Sequence, residues 1–330
     1  MSFNSAKHDG YGIALTQSSA GVSTLWTDGD VTWYSPDLAA QRNYQVQASD
    51  VCDTSDPNVV ISMSSSGQFY SIDRRLARAV SISSPTTRIN EVAIASSENL
   101  LVAGYMEVVR VFDLRKMQTL ALITEAHSDD IVDIKFWNEL IVTASQDSLS
   151  CFIDYTKGDD GIVHTVNMGK PISMVGVINK DLVSFTTDDS AFQIYAPNTE
   201  QTVSNVADLR VNTLATNFDG ATVLRGTEIN KKVVASVALP NGEIDLFNYV
   251  NDNSYRRCLR ARCHEGIVRD YRVNGTTMYT TGEDGKVCVF DMKTPPLVED
   301  VAQQPQATNE LSGGMRQKQQ RRQHTPMDCD

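Results

Sequence analysis

The side chains of this 330-residue chain with most to offer chemically are five histidines and six cysteines. His127 precedes Asp147 by 20 residues, and His264 precedes Asp284 by the same 20. A carboxylate behind a histidine is the arrangement that orients a general base, but the pair needs a nucleophile or a metal beside it. The sequence supplies neither. It has no GxGxxG or GxxxxGK(S/T) phosphate loop, no HExxH and no GxSxG. His8 and His324 lie near the termini and His164 stands alone. Cys52, Cys151, Cys258, Cys263, Cys288 and Cys329 contain no CxxC pair. Cys258 and Cys263 are the closest, without a second pair or a histidine cluster at zinc-site spacing. Reduced thiols filling core space are expected, with no catalytic residue, cofactor or metal.

The formal net charge is −12. A general nucleic-acid binder needs clustered Lys and Arg to displace counterions, so direct nucleic-acid binding is not expected. The excess of carboxylates favours basic partners. Residues 1–10 are polar and carry no apolar core of a secretory leader. The longest apolar runs, such as 233–239, suit a buried strand and are too short to span a membrane. An intracellular setting, nucleus or cytoplasm, is expected.

Residues with these properties need elements to position them, and the elements repeat. Seven short alternating runs end in an aromatic or aliphatic residue, often followed by Asp. Their terminal anchors are Tyr34, Ile72, Phe112, Ile153, Tyr195, Phe247 and Phe290, separated by 38, 40, 41, 42, 52 and 43 residues. A period near 40 residues of four strands each is the mark of a propeller blade. The long step before Phe247 places extra residues in a loop within 205–232. Asp28-Gly29, Asn241-Gly242 and Asp284-Gly285 are hairpin turns joining the second and third strands of their blades. No amphipathic helix of ordinary length appears, so the reading is all-β. Seven four-stranded antiparallel blades should occupy residues 1–300. The outer strand of blade seven must come from residues 2–8 or 296–301. Residues 301–330 change composition to a polar, Gln/Arg-rich tail expected to be disordered. Its Arg316, Lys318, Arg321 and Arg322 form a small basic cluster suited to nuclear import or a nucleic-acid contact, the alternative being a merely solvated tail.

The repeat resembles the WD40 family across residues 12–300. The layout is similar to the intracellular group called WD repeat-containing protein 89, through His127-Ser128-Asp129-Asp130-Ile131, Gly282-Glu283-Asp284, the long connection before blade six and the basic tail. The resemblance implies a seven-bladed propeller and little biochemistry beyond it; the lack of catalytic motifs makes a non-enzymatic protein-interaction scaffold the expected role. It also implies that His127 with Asp147, and His264 with Asp284, form buried structural networks with a second-strand hydroxyl. Most blades lack the His and no anchor is Trp, so blades two, three, five and six should be packed mainly by apolar residues.

Two faces follow. The turns between strands two and three share one face with the loops between blades, and that face carries Asp28, Asp30, Asp129, Asp130, Asp188, Asp189, Glu265 and Glu283. Clustered carboxylates focus a negative potential that would receive a Lys/Arg-rich protein segment; the plain alternative is a solvated rim. The opposite face carries Asp73-Arg74-Arg75 and Asp113-Leu114-Arg115 after the third strands of blades two and three. These resemble the Trp-Asp-x-Arg motif of WD40 substrate receptors of cullin-RING ubiquitin ligases, with Ile72 and Phe112 in the Trp position. That resemblance implies adaptor binding through Asp73, Arg75, Asp113 and Arg115. The alternative is a turn whose Asp and Arg pair only locally.

Overall fold

Four of the strand-two to strand-three hairpins turn on a glycine in the left-handed region: Gly29, Gly67, Gly242 and Gly285, with φ of 83°, 81°, 83° and 73°. A Cβ on Gly242 would lie 1.9 Å from the His264 carbonyl oxygen, and one on Gly285 2.3 Å from that of His8. At these last two, only glycine closes the hairpin without displacing a neighbouring loop.

The computed structural model describes residues 4–83, 92–213 and 219–293. In them the chain forms seven antiparallel sheets, the blades of a propeller. The third strands are Asp30–Tyr34, Phe69–Asp73, Val108–Asp113, Leu149–Ile153, Phe192–Ala196, Glu243–Asn251 and Lys286–Asp291. They hold the seven anchors, all buried. In blade six the third strand runs four residues past Phe247, to Asn251, and pairs along its length with Ser254–Arg262. The core lies between blades. Phe69 meets Phe112 of the next blade edge-on at 5.5 Å, and Phe152 meets Phe185 of the next at 6.3 Å. Such contacts between aromatic rings add to the area they bury.

Residues 207–231, between blades five and six, contain the short helix Leu209–Thr213 and a broken inner strand. Thr222–Val223 and Thr227–Ile229 both pair with Lys232–Ala238. Blade six is packed mainly by apolar side chains, as expected, but also buries a carboxylate. Asp245, fully buried, receives two 2.7 Å hydrogen bonds from Arg260, and Arg257 lies 3.5 Å away. A carboxylate out of water is tolerated when a guanidinium meets both its oxygens.

The start of the chain supplies the fourth strand of blade seven. Asn4–Lys7 pairs antiparallel with Lys286–Asp291, Asn4 opposite Val289 and Lys7 opposite Lys286. The His8 amide extends this with a 2.8 Å bond to the Gly285 carbonyl, and its ring stacks on Trp26 of blade one at 4.5 Å. The expected tail and the boundary at residue 300 lie outside the described residues, as does the basic cluster.

Removal of residues 1–8 should strip a strand from blade seven and bare its edge. With net hydrogen-bond contributions of about 0.5–1.5 kcal/mol each, we expect a loss of roughly 2–5 kcal/mol in denaturant unfolding. An unchanged midpoint would mean that another segment closes the ring.

Candidate functional site

Blades four and seven contain the same buried network. In blade four the loop after the third blade delivers His127 beneath the turn that carries Asp147. His127 Nδ1 lies 3.0 Å from Asp147 Oδ2, and Nε2 2.6 Å from the Thr143 hydroxyl of the second strand. The carboxylate also accepts the Ser128 and Leu149 amides at 3.0 and 2.9 Å. In blade seven His264 lies 2.8 Å from both Asp284 and Thr280, and Asp284 accepts the Glu265 and Lys286 amides. Both rings are buried and both ring nitrogens are engaged. With both nitrogens of each ring held by buried partners, neither ring offers a base to solvent.

A second set of carboxylates, absent from the sequence reading, lines the central channel, a cavity of about 570 Å³. Asp50, Asp133 and Asp270 each stand at a bulge in the first strand of their blade. Each reaches across to a backbone amide of the next blade: Ile94 at 2.8 Å, Val175 at 2.9 Å and Leu15 at 2.9 Å. Asp53 similarly accepts the Gln17 amide at 3.1 Å. Lys135, Arg225 and Arg272 stand among them. Burial pushes the Asp50 carboxyl up to about 6, against the pull of Lys135 and two amides. Burial acts on Asp270 too, yet the nearby Arg225 and Arg272 hold it below the usual carboxylate range. The signal was present in part: Asp133 and Asp270 both follow their His by six residues.

The acidic face is thinner than expected. Asp30 is buried, not on the rim: it opens the third strand of blade one and accepts Asn43 Nδ2 at 2.5 Å. Three of the others pair with a Lys or Arg, and a fourth lies beside a histidine ring. Lys170 pairs with Asp189, Arg269 with Glu283 at 2.9 Å, Lys286 with Glu265 at 3.0 Å, and His8 Nε2 lies 3.7 Å from Asp28. Among the described residues, Asp129, Asp130 and Asp188 form no ion pair. They lie at blades four and five, which are adjacent.

On the opposite face, Asp73 and Asp113 each accept the amide of the Arg two residues on, at 2.9 Å. Arg75 is bound tightly, with Nε and one terminal nitrogen at 2.8 and 2.7 Å from the Asp73 carboxylate and Asp56 at 3.3 Å. Arg115 contacts Asp113 only at 3.4–3.5 Å and is 66% exposed. Arg74 is structural. It binds Asn58 at 2.5 Å and the Ala20 carbonyl at 2.6 Å, and covers the Trp33 ring.

Burial of His127 holds its pKa below the ordinary value, against the pull of Asp147. The unfolded chain therefore takes up a proton near pH 6.5 that the folded ring resists, and this contribution to stability is lost as pH falls through that value. His127→Ala should cost roughly 1–3 kcal/mol at pH 7, because Asp147 and Thr143 lose a buried partner. The gap from wild type should narrow by pH 5.5, since only the wild type carries the resisted protonation. Urea midpoints at both pH values check this, and a gap that widens on acidification would mean the ring is charged in the fold.

No family model matches the chain. The WD repeat-containing protein GTS1 of Arabidopsis thaliana is 32% identical over 134 residues, 37% of this chain and 33% of that protein. An uncharacterized WD repeat-containing protein of Schizosaccharomyces pombe is 24% identical over 204 residues, 55% of this chain and 62% of that protein. The matches thus span about a third and somewhat under two thirds of those relatives. A chain in the crystal structure of the mitotic checkpoint complex superposes with a TM-score of 0.70 at 12% identity, over 87% of this chain and 90% of that one. The computationally designed Ika8 protein gives 0.60 at 13% identity, over 86% and 97%. These structural likenesses show the fold alone. The seven recurring blades and the similarity to WD repeat-containing proteins together support a WD40-repeat propeller.

Proposed function

We propose that this WD40 propeller is a non-enzymatic interaction scaffold whose acidic loop face, at blades four and five, receives a basic protein segment. The observation that carries the reading is that Asp129, Asp130 and Asp188 have no cationic partner among the described residues, whereas the carboxylates around them do. Asp129 and Asp188 are exposed and Asp130 is half-buried. Charges at such a rim steer a Lys/Arg-rich ligand and give most of their contribution at low salt. In the described residues no helix is long and apolar enough to cross a membrane.

A second reading is favoured by one observation. Arg115 is exposed and loosely held, and Arg75 follows the equivalent strand of the adjacent blade. Both leave the face opposite the acidic rim. A ubiquitin-ligase substrate receptor needs that division, with adaptor on one face and substrate on the other. Against it, Arg75 already spends its fork on Asp73 and Asp56.

For the first reading, a Lys/Arg-rich peptide should bind with an affinity that falls steeply between low and physiological salt, since charges are screened beyond about 8–10 Å there. Asp129→Asn, Asp130→Asn and Asp188→Asn together should weaken it at least tenfold at low salt; an affinity indifferent to salt or to the triple variant would dismiss it. For the second, the ligase adaptor should co-purify with wild type and be lost from Arg75→Ala/Arg115→Ala at an unchanged melting curve. Truncating a central interface Arg costs about 2 kcal/mol or more, so retention of adaptor by the double variant rules that reading out.

A further inference from the structure

Blades four and seven offer an internal comparison. In each, a third-strand thiol donates to the carbonyl of the residue before the network histidine: Cys151 to Ala126 at 3.3 Å, and Cys288 to Cys263 at 3.2 Å. The frames are the same, but in blade seven the residue before the histidine is itself a cysteine. Cys263 Sγ lies 3.3 Å from the Thr280 hydroxyl, which in turn lies 2.8 Å from His264 Nε2. One donor atom each from Cys263, His264 and Cys288 falls within 4.8 Å of the others. Cys263 is 7% exposed, His264 2% and Cys288 0%.

We propose that Cys263, Cys288 and His264 hold a zinc ion beneath the rim of blade seven, with the Thr280 hydroxyl or a water as fourth ligand. Two sulfurs and one imidazole are the donor set that thiophilic, tetrahedral zinc prefers over hard cations. The support behind the site is already built. Asp284 lies 2.8 Å from His264 Nδ1, which leaves Nε2, now 2.8 Å from the Thr280 hydroxyl, as the ring's ligand atom. A ligating histidine commonly gives its other N–H to a carboxylate, which sets ring orientation and raises ligand basicity. Binding replaces the Thr280–His264 hydrogen bond with a metal bond and releases two thiol protons to solvent, so no electron is transferred. Blade four holds its His, Thr and Asp in the same frame with alanine in place of the first cysteine. It is thus a metal-free version of the same blade, and a Cys263→Ala chain should fold.

The test uses the full chain, purified under a thiol reductant, incubated with zinc chloride and freed of excess metal. Elemental analysis should find one zinc per chain in wild type. Cys263→Ala and Cys288→Ala should lose it, while Cys151→Ala, Cys258→Ala and Cys329→Ala keep it. Substituting cobalt(II) should give a thiolate charge-transfer absorption that disappears in the same two variants, and zinc should raise the melting midpoint of wild type but not of Cys263→Ala. Zinc retained equally by folded Cys263→Ala, or none retained by wild type, would overturn the proposal.

Discussion

A carboxylate in one blade holding a backbone amide of the next is the interaction on which the channel, and with it the ring, depends. Hairpin turns and apolar anchors build each blade, but neither dictates how far one blade sits from its neighbour. Asp50, Asp133 and Asp270 do this at three junctions, and at a fourth Asp53 of blade two reaches back to the Gln17 amide of blade one. Elsewhere other polar groups serve: Ser184 accepts the Gly226 amide, Tyr271 donates to the Arg225 carbonyl, and the Ile131 amide donates to Met106. Each uses a buried group whose partner lies in the adjacent sheet, so loosening one leaves polar atoms without water and without a bond.

Those inner clasps leave the rims to vary. On one rim three carboxylates are answered by a Lys or Arg, and three at blades four and five are not. On the other, two equivalent turns expose arginines, one saturated by its own aspartates and one nearly free. Two stiff blades carry His–Thr–Asp networks, each with a third-strand thiol behind it, and one of these has a second thiol, Cys263. The same blade plan thus carries different surface chemistry at different positions, which is what a recognition platform requires.

The blade anchors and the paired His–Asp spacings were legible because both repeat, and a repeat survives without knowledge of register. Asp30 was misplaced for the opposite reason. Its side chain meets Asn43, 13 residues on, and only the pairing of the third and fourth strands brings the two together. The cations that thin the acidic rim share this property: Lys170, Arg269 and Lys286 reach carboxylates 14 to 21 residues away. Asn4–Lys7 could not be chosen over the other end because it is short, polar and mostly exposed, with nothing in its pattern that marks a strand. Cys263 and Cys288 stand 25 residues apart, outside any metal spacing that a linear scan tests.

The strand at the start of the chain finds its partner nearly three hundred residues later, Asn4 against Val289. During synthesis, these first residues must therefore wait, unpaired, until almost the whole propeller has emerged. Closing so large a loop is slow, although the entropic cost grows only with the logarithm of its length. Six blades can assemble from local hairpins while the seventh stays incomplete, its edge open to any strand that arrives first. The interval between the making of blade six and the return of residues 4–7 is therefore the period in which the open edge of blade seven is most exposed to mispairing.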